Sequence, residues 1–454
     1  MLKNFALSLG AGLALAAAVH AAGDIFPYKV HERSLDNGLK VVAIPYDSPG
    51  TVAYYTVVRT GSREEVEAGK TGFAHFFEHM MFRGTEKYPP ARYNDVLKRM
   101  GADSNAYTSD DETVYHIVGP ASELPTLMDI EADRFQNLKY TEEAFRTEAL
   151  AVLGEYNKNA SNPFFPMFEK LRGLAFTRHT YKHTTMGFVE DIKAMPEQYP
   201  YSLQFFDRFY RPENVTLLIV GDVEPEKVFA LAKQHYGGWK KGYKPVDIAT
   251  EPPQGGQKKA HIDWPNPVRP HLIVGYRMPG FSTANVDIAA LDLIGQLLFS
   301  DSAPLYQELV VEKQWVDFIG GGGGYSRDPG LFTVTTRVKS EDLVPKVKET
   351  VDRYIQELAA KPVDAKRLDR IRSHLRYGFA LGLDTPDNVA GQATQAIVAA
   401  GDVAAINGLF AQYEKVTPAD VQRVARETFK TDSETVVSLS YPSQAGADKK
   451  GGAR

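Results

Sequence analysis

The first half of the chain alternates short β-branched stretches with longer amphipathic ones. Residues 39–58 alternate apolar and polar positions around an Asp-Ser-Pro-Gly turn, which predicts two strands. The other elements predicted in this half are helices at 74–81, 93–100, 122–137, 142–158 and from Pro225, and strands near 104–119 and at 214–223. A mixture of antiparallel strands and helices of this kind predicts α+β layers.

The same order of elements restarts in the second half. The Lys-, Pro- and Gly-rich residues 241–262 lack periodicity and predict a linker. Residues 195–220 and 417–442 both contain a proline, an amphipathic helix, a polar turn and an apolar strand, about 222 positions apart. We interpret this similarity as a tandem duplication, although two common helix-turn-strand units could agree by chance. The predicted units are an N-terminal domain at 23–240, the linker, a C-terminal domain at 263–443 and a disordered tail at 444–454.

The amino-terminal residues 1–22 predict a signal peptide. Lys3 precedes an apolar run from Phe5 to Val19, and cleavage is expected after Ala21 or Ala22. A membrane anchor is the alternative, but the run is short for a span. No later segment approaches about 18 uninterrupted apolar residues, so we expect no stable membrane span in the mature chain. The predicted destination is a bacterial periplasm, with which the absence of cysteine is compatible.

The composition mainly excludes certain partners and kinds of site. The 454 residues are 43% hydrophobic and 24% charged, an ordinary globular balance with length for more than one core. A net charge of -5 and the absence of a Lys/Arg-rich run give no basic field for phosphate, so nucleic acid is not expected as a partner. Without cysteine, the chain cannot form disulfides, zinc-thiolate sites or cysteine nucleophiles.

The segment GFAHFFEHMM, residues 72–81, places two histidines and a glutamate in an otherwise apolar helix. Because positions four apart lie on one helix face, His75 and His79 can hold the same ion. Glu78 lies at the flank of that face, within reach of a water molecule at the ion. A zinc ion would stabilise two neutral imidazoles in apolar surroundings. The alternative is a pair of buried histidines bonded to backbone groups, but the glutamate between them favours a metal site.

A third ligand has to come from another segment. Catalytic zinc usually has three protein ligands and one open position, and without cysteine the third ligand is His, Asp or Glu. The helix predicted at 142–158 offers Glu148 and Glu155, seven residues apart and within about 20° of one face. Carboxylates on an apolar face need a cation or a hydrogen-bond donor. The residues alone leave either glutamate as the ligand.

The motif H-x-x-E-H is the inverted form of the common zinc-peptidase motif. With it, the chain resembles the pitrilysin family of zinc metallopeptidases, which includes insulin-degrading enzyme and the mitochondrial processing peptidase. The segments SNAYTSDDETVYH, EADRF, HTYKHTTMG and FYRPENVTLLIVGDV follow in the family's order, and the similarity is strong over 75–223 and weaker beyond. The resemblance implies a short bacterial type with two tandem homologous domains. Each would contain a mainly antiparallel sheet packed with helices, and the chains would enclose a chamber on dimerisation.

The resemblance further implies zinc-dependent hydrolysis of peptide bonds. Glu155, 76 residues after His79, has the spacing of the family's third ligand, so Glu148 becomes a residue that supports the ligands. His75, His79 and Glu155 would together hold one Zn²⁺ per chain, and this ion would polarise the scissile carbonyl. Glu78 would take a proton from the attacking water. Manganese or cobalt also suit three nitrogen and oxygen ligands.

The resemblance also implies where the substrate lies. Asn105, Ala106 and Tyr107 would pair as a strand with an extended peptide, reading its backbone more than its side chains. An ordinary edge strand is the alternative.

The second half departs from the family at one point. Active members carry an arginine and a tyrosine, seven residues apart, that orient the substrate carbonyl and stabilise the oxyanion. Here LVVEKQWVDFIG places Val310 and Asp317 at these positions, and neither side chain can donate the same hydrogen bond. Loss of one such donor can cost about 10² to 10³ in rate. We therefore expect a homologous partner chain to supply the pair, unless Tyr325 or Arg327 takes its place.

The predicted function is that of a periplasmic zinc endopeptidase subunit that acts on short or unfolded peptides, completed by its partner in a heterodimer. The alternative is a non-catalytic or weakly active subunit that binds peptides within a peptidase complex. The intact motif argues against this alternative, and the missing pair argues partly for it. A zinc-storage protein is disfavoured, because one site with an adjacent carboxylate is a poor reservoir.

Overall fold

Two sets of strands, one in each half of the chain, form two separate sheets. The computed structural model describes residues 24–442, and the predicted signal peptide, 1–22, and tail, 444–454, lie outside the described residues. The strands are β1 (His31–Ser34), β2 (Lys40–Pro45), β3 (Thr51–Val58), β4 (Asp103–Thr108), β5 (Thr113–Pro120), β6 (Val215–Gly221), β7 (Lys258–Asp263), β8 (His271–Met278), β9 (Val316–Gly322), β10 (Gly330–Val338) and β11 (Glu434–Ser440).

Helices make up the larger part of the regular structure. They are α1 (Phe73–Met80), α2 (Pro90–Met100), α3 (Leu124–Asn137), α4 (Glu142–Ala160), α5 (Phe164–Ala175), α6 (Val189–Ala194), α7 (Tyr199–Phe209), α8 (Pro225–Tyr236), α9 (Asp287–Phe299), α10 (Pro304–Tyr306, continued by the π-helical Gln307–Glu312), α11 (Val344–Ala360), α12 (Ala365–Leu381), α13 (Pro386–Ala400), α14 (Ala405–Lys415) and α15 (Pro418–Thr428). The first four lie within a few residues of their predicted positions.

The two sheets repeat one topology. Their strand orders are β1-β2-β6-β3-β5-β4 and β7-β11-β8-β10-β9. Neighbouring strands are antiparallel except for β2 with β6 and β7 with β11, which are parallel. Without β1 the two orders coincide, and equivalent strands begin between 213 residues apart, for β4 and β9, and 220, for β3 and β8. The predicted fold class, two homologous α+β domains with mainly antiparallel sheets, is confirmed; closure around a chamber on dimerisation stays a prediction.

Strands β2 and β6 are buried on both faces, which explains their almost continuous apolar sequence. Because side chains alternate along a strand, Val41 and Ala43 enter one core while Val42 and Ile44 enter another. The first of these cores lies against α1, α3, α4, α7 and α8 of the N-terminal half. In the C-terminal half, the second sheet packs in the same way against α9, α11 and α15.

The two halves also cover each other's sheets. From the C-terminal half, α13 places Val389 and Ile397 on the free face of the first sheet, against β3 and β6. From the N-terminal half, α5 places Met167 and Leu171 against β8 and β11 of the second sheet. Since each sheet needs a helix from the other half to bury its second face, the two domains form one packed unit.

Several elements differ from the sequence prediction. The single strand predicted near 104–119 is a hairpin, because the polar residues between β4 and β5 form a turn closed by a 2.8 Å bond from Ser109 N–H to Glu112 O. Strand β7 lies at the end of the predicted linker, 241–262, and belongs to the second sheet through its parallel pairing with β11. Helix α5 has no counterpart among the predicted elements.

One helical stretch in the described part of the chain, Asp287–Glu312, has the length and composition of a membrane span. Two further helices, Pro386–Ala400 and Ala405–Lys415, reach this length and composition only when they are taken together, and they are bent by 82° where they meet. In the first stretch, 67% of the apolar window is buried inside the protein, where α9 packs against α12, α14 and α15. The central helix of a folded core can have the same length and composition, so these helices are weak evidence for a membrane span.

Candidate metal centre

Helix α1 begins at a buried cap that the sequence pattern does not reveal. Gly72, at φ 89°, precedes the helix, and a Cβ there would clash with Ile192 Cδ1 and lie 2.9 Å from Met186 O. The Glu65 carboxylate accepts hydrogen bonds from the N–H groups of Gly72 and Ala74, both at 2.8 Å. Burial raises the pKa of Glu65 to about 8, against the opposing effect of these hydrogen bonds. Glu65 thus fixes the first turn of the helix that carries the motif.

The core-facing side of α1 orients its polar residues. Phe76 and Phe77 are fully buried, and the Tyr115 hydroxyl donates a 3.0 Å hydrogen bond to the carbonyl of Phe77. These contacts place the apolar face of the helix against the first sheet. The two histidines lie on the opposite side, with ring centroids 4.8 Å apart, as expected for positions four apart.

The two histidines and Glu155 of α4 converge. Glu155 Oε2 lies 3.3 Å from His79 Nε2 and 3.6 Å from His75 Nε2, and one donor atom from each of the three residues lies within 4.8 Å of the other two. Tetrahedral zinc with bonds of 2.0–2.1 Å separates its ligand atoms by about 3.3–3.4 Å. The donor set and its spacing therefore fit a zinc ion with three protein ligands.

The environment of His75 favours the neutral imidazole. Burial and the neighbouring His79 lower the pKa of His75 to about 4, while Glu155 opposes them. Its Nδ1 atom is buried and has no hydrogen-bond partner among residues 24–442. Since a metal ligand has to be the unprotonated ring, the low pKa suits His75 to coordination through Nε2.

Glu148 lies on the other side of His79. Its Oε1 is 2.9 Å from His79 Nδ1, and its Oε2 accepts hydrogen bonds from the Arg83 guanidinium. With Nδ1 donating to Glu148, the His79 Nε2 lone pair faces Glu155. The hydrogen bond to Glu148 raises the pKa of His79 against the effect of burial. The structure thus places Glu155 beside both Nε2 atoms and Glu148 behind one of the rings. Arg83, four residues after His79 along the chain, was not among the predicted site residues.

Glu78 is oriented by the neighbouring strand. Thr108 is the last residue of β4, and its hydroxyl donates a 2.7 Å hydrogen bond to Glu78 Oε2. Burial raises the pKa of the Glu78 carboxyl, and this hydrogen bond opposes the rise. The sequence prediction did not include Thr108, although it directly follows the Asn-Ala-Tyr segment predicted to bind substrate.

That segment lies on an edge strand. β4 ends the first sheet, so its second edge has no strand partner within the part of the chain described. Asn105 and Tyr107 are exposed, and Ala106 between them is half-buried. The Asn105 side-chain oxygen accepts a 2.9 Å hydrogen bond from the Ala106 N–H. A peptide that paired here through Ala106 would have to displace this amide.

The positions expected to hold the arginine and tyrosine have other contacts. Val310 lies in the π-helical continuation of α10 and packs against the second core. On β9, the Asp317 carboxylate accepts a 2.7 Å hydrogen bond from Arg337 Nε and another from Arg269. These hydrogen bonds, that of Arg269 above all, lower the pKa of Asp317. Asp317 is therefore an ionised partner of two arginines, which is a different chemistry from that of a tyrosine.

The two alternative residues are also engaged elsewhere. The Tyr325 hydroxyl donates to Asp292 Oδ2 at 2.9 Å. The Arg327 guanidinium donates to Glu64 Oε1 at 3.0 Å, and its N–H donates to Asp111 Oδ2 at 2.8 Å. Either residue would have to leave a formed hydrogen bond to reach a substrate carbonyl.

Two regions of the chain match models of a known peptidase family. Residues 41–188 match the domain described as Insulinase (Peptidase family M16), and residues 201–375 match the Peptidase M16 inactive domain. The first range contains the histidine pair and both glutamates of α4. The zinc protease PqqE of Helicobacter pylori is 28% identical over 461 residues, which cover 96% of this chain and all of that protein.

Two solved structures have the same architecture. A protease from Helicobacter pylori superposes with a TM-score of 0.85 at 27% identity, covering 91% of this chain and all of that one. The periplasmic protease PqqL from Escherichia coli superposes with a TM-score of 0.73 at 19% identity. This second match covers 93% of the present chain but only 48% of PqqL, and it shows similarity of fold alone.

Proposed function

The chain belongs to the M16 family of pitrilysin-like peptidases, and from this premise we propose that it is the metal-bearing subunit of a zinc-dependent endopeptidase. One observation carries the proposal. Two imidazoles from α1 and a carboxylate from α4 converge at ligand spacing, with the Glu78 carboxylate on the same helix. That arrangement suits hydrolysis, because a metal ligand set and a proton acceptor lie side by side.

In this proposal His75, His79 and Glu155 hold one Zn²⁺. When bound, the ion supplies a Lewis acid for the scissile carbonyl and favours ionisation of water near neutral pH. Glu78 accepts the proton of the attacking water and later gives it to the departing amine. Thr108 holds Glu78 in place through its hydroxyl. The edge of β4 at Asn105, Ala106 and Tyr107 aligns the peptide backbone.

We further propose that a homologous second chain completes the site. Val310 and Asp317 cannot supply the donors expected of an arginine and a tyrosine, and Asp317 is held by two arginines of its own sheet. The length of PqqL, of which this chain covers 48%, is consistent with two such halves acting together. Peptides or unfolded segments are the proposed substrates. The periplasmic location rests on the predicted signal peptide and on the description of PqqL as periplasmic.

The decisive variant is Glu78→Gln, which preserves the shape of the side chain but removes its ability to accept a proton. We expect it to bind zinc with unchanged stoichiometry and to lose cleavage of a fluorogenic unfolded peptide by about 10² or more. The matched control is Glu143→Gln, at an exposed position in the first turn of α4. Cleavage by Glu78→Gln within twofold of the unchanged chain would contradict the assignment.

The need for a partner is tested with the same peptide. The purified chain alone is expected to cleave slowly, and addition of a homologous chain that carries the Arg/Tyr pair is expected to raise the rate by about 10². Full activity of the isolated chain would refute the heteromeric site while leaving the metal site intact. Peptide binding without cleavage in either sample would favour the second candidate function, a non-catalytic peptide-binding subunit. The presence of Val310 and Asp317 at the positions expected for arginine and tyrosine also supports this candidate.

A further inference from the structure

The second domain contains a cavity of about 340 Å³ between α9, α12, α13 and α14. Its walls are apolar and largely aromatic, with Phe281, Phe379 and Phe410 among the lining residues. The side chains of Gln296, Gln392 and Gln395 add amide groups. None of the described residues that line it is Asp, Glu, Lys or Arg. A pocket of this kind suits an uncharged group that offers an apolar body and a few hydrogen bonds.

The repeated topology gives this cavity a counterpart in the first domain. Helices α1 and α4 contact each other beside β4, and α12 and β9 contact α9 in the same arrangement. The N-terminal caps of α4 and α12 correspond closely: Thr141 and Asp364, 223 positions apart, each accept a hydrogen bond from the N–H three residues later. This offset matches Glu155 with Gly378, which lines the cavity.

The histidine pair also has a counterpart. On α9, Asp292 and Gln296 are four residues apart and lie 217 positions after His75 and His79, within the range of offsets of the equivalent strands. Gln296 lines the cavity. By these offsets, the cavity corresponds in the second domain to the position of the candidate metal centre in the first.

The residues at the corresponding positions of the second domain leave an open pocket. A Cβ on Gly378 would meet no atom within 4 Å, so the space of the missing carboxylate side chain is open. The Asp292 carboxylate accepts hydrogen bonds from the hydroxyls of Tyr325, at 2.9 Å, and Tyr413, at 2.7 Å. Both hydroxyls donate to Asp292, so the rings of Tyr325 and Tyr413 line the cavity while the Asp292 carboxylate does not. Among the described residues, Asp292, Gln296 and Gly378 do not form a ligand set for a metal.

We infer that this cavity binds the side chain of an aromatic residue in a peptide. A volume of 340 Å³ is at the lower end of the range for ligand pockets, about 300–1,000 Å³, and accommodates one aromatic residue but no long segment. The phenylalanine rings provide edge-to-face partners for an aromatic group, and the glutamine amides provide donors and acceptors for the adjoining peptide bonds. Only the identification of the ligand as part of a peptide rests on the proposed function; the binding site does not.

Two filling variants test the site. Gly378→Leu places a side chain at the opening and replaces a glycine in a helix by a better helix former, so the variant is expected to fold. Ala399→Leu fills the cavity from α13. Their matched controls are Ala380→Leu and Ala400→Leu, at exposed positions of the same two helices. Circular dichroism and thermal unfolding verify that all four variants fold.

The probe is N-acetyl-L-phenylalaninamide, observed by saturation-transfer NMR with protein freed of metal by a chelator. We expect a signal with the unchanged chain and both controls, and a loss of about tenfold or more with both filling variants. N-acetyl-L-alaninamide should give no signal. Absence of a signal with the unchanged chain, or equal signals with folded filling variants, would overturn the inference. Since no metal is present, the result is independent of whether the chain hydrolyses peptides.

A second measurement tests the peptide assignment in the active complex. Gly378→Leu is expected to raise the KM for a phenylalanine-containing peptide by about tenfold while kcat is retained. An unchanged KM would overturn the peptide assignment, even where the amide probe binds. Loss of hydrolysis in every variant, with binding of the probe intact, would instead refute the proposed peptidase function and leave the cavity as a binding site.

Discussion

At the scale of single residues, the candidate metal centre distinguishes two glutamates that look equivalent in the sequence. Glu148 and Glu155 lie two turns apart on α4, but only Glu155 approaches both Nε2 atoms. Burial raises the pKa of Glu148, and the hydrogen bonds from His79 and Arg83 outweigh burial, so that its pKa is lowered. Glu148 is therefore an ionised acceptor that holds His79 in one tautomer.

The two glutamates should consequently differ in their effect on zinc affinity. We expect Glu148→Gln to weaken zinc binding by about 10- to 100-fold, because it loosens one ligand. Glu155→Gln should weaken it further, since it removes a charged ligand. Titration with a competing chelator measures both, with Glu143→Gln as the exposed control on the same helix. A larger effect at Glu148 than at Glu155 would reverse the assignment.

The sequence predicted these residues only where their arrangement is determined within a single helix. The histidine pair follows from the helical repeat, because positions four apart share a face in any α-helix. Glu155 could be chosen over Glu148 only through a family resemblance, since the approach of α4 to α1 is a tertiary contact. Glu65, Arg83 and Thr108 carry no pattern of their own, because their partners are defined by the packing of distant segments.

At the scale of elements, the site depends on how β4 and α1 meet. The hydrogen bond from Thr108 to Glu78 connects the edge strand proposed to bind substrate with the carboxylate proposed to accept a proton. A peptide on β4 would therefore lie beside Glu78 without rearrangement of the helix. Under the proposed function, this single hydroxyl would couple substrate alignment to proton transfer.

Removing that hydroxyl should lower turnover without affecting the metal. For Thr108→Val we expect kcat to fall by about 10- to 10²-fold, since a hydrogen bond to a charged group contributes about 1.5–3 kcal/mol. Thr108→Ser preserves the donor and should restore most of the rate. Steady-state kinetics alongside zinc analysis distinguishes this effect from loss of the metal. Equal kcat for the valine and serine variants would show that the hydroxyl has no role in positioning Glu78.

The start of α1 provides a second test at this scale. Gly72→Ala should destabilise the protein by about 3 kcal/mol, because it combines a positive φ with a clash against Ile192. Gly69→Ala is the matched control: it has a similar φ, 76°, but its Cβ would meet no atom within 4 Å. We expect this control to cost about 1–2 kcal/mol. Denaturant unfolding of both variants separates the steric cost from the backbone cost.

Many elements were predictable, and the misses at β7 and at the β4–β5 turn have separate physical reasons. Strands β2 and β3 and helices α1 and α4 have local periodicity, which the sequence displays directly. Strand β7 forms only because β11, about 180 residues later in the chain, pairs with it in parallel, and such pairing leaves little local signal. The turn between β4 and β5 was missed because its acidic residues continue the polar alternation of the strands around them.

At the scale of the whole molecule, a cluster of ion pairs and hydrogen bonds, here called the charged joint, connects the two domains. It acts in addition to the helices α5 and α13, each of which packs on the sheet of the other domain. Arg63 Nε donates a 2.6 Å hydrogen bond to Asp328 Oδ2, and His179 Nε2 lies 3.0 Å from the same oxygen. Arg327, next to Asp328, donates to Glu64 and Asp111 of the N-terminal domain. The loop before β10 is thus held by groups that also surround the β4–β5 turn, so these contacts connect the second domain to the first sheet.

This joint predicts a defined loss of stability in acid. The hydrogen bond with His179, together with Arg63, lowers the pKa of Asp328 from its ordinary value of 3.8. A carboxyl with a lowered pKa in the folded state stabilises the protein fully at pH values above 3.8 and progressively less as the pH falls below it, because the unfolded chain then binds the proton first. The contribution should therefore be intact at pH 7 and diminished at pH 3.

Asp328→Asn removes this contribution at every pH. At pH 7 we expect the free energy of unfolding to fall by about 1 kcal/mol or more, since Arg63 and His179 lose a charged acceptor. The difference between the unchanged chain and the variant should shrink toward pH 3. Asp247→Asn, an exposed aspartate between the domains, is the control and should show no such trend. Urea unfolding at pH 7, 5 and 3 measures the difference. A difference that stayed constant over this range would mean that the Asp328 charge does not hold the domains together. The Arg327 hydrogen bonds and the exchanged helices α5 and α13 would then remain as the contacts that do.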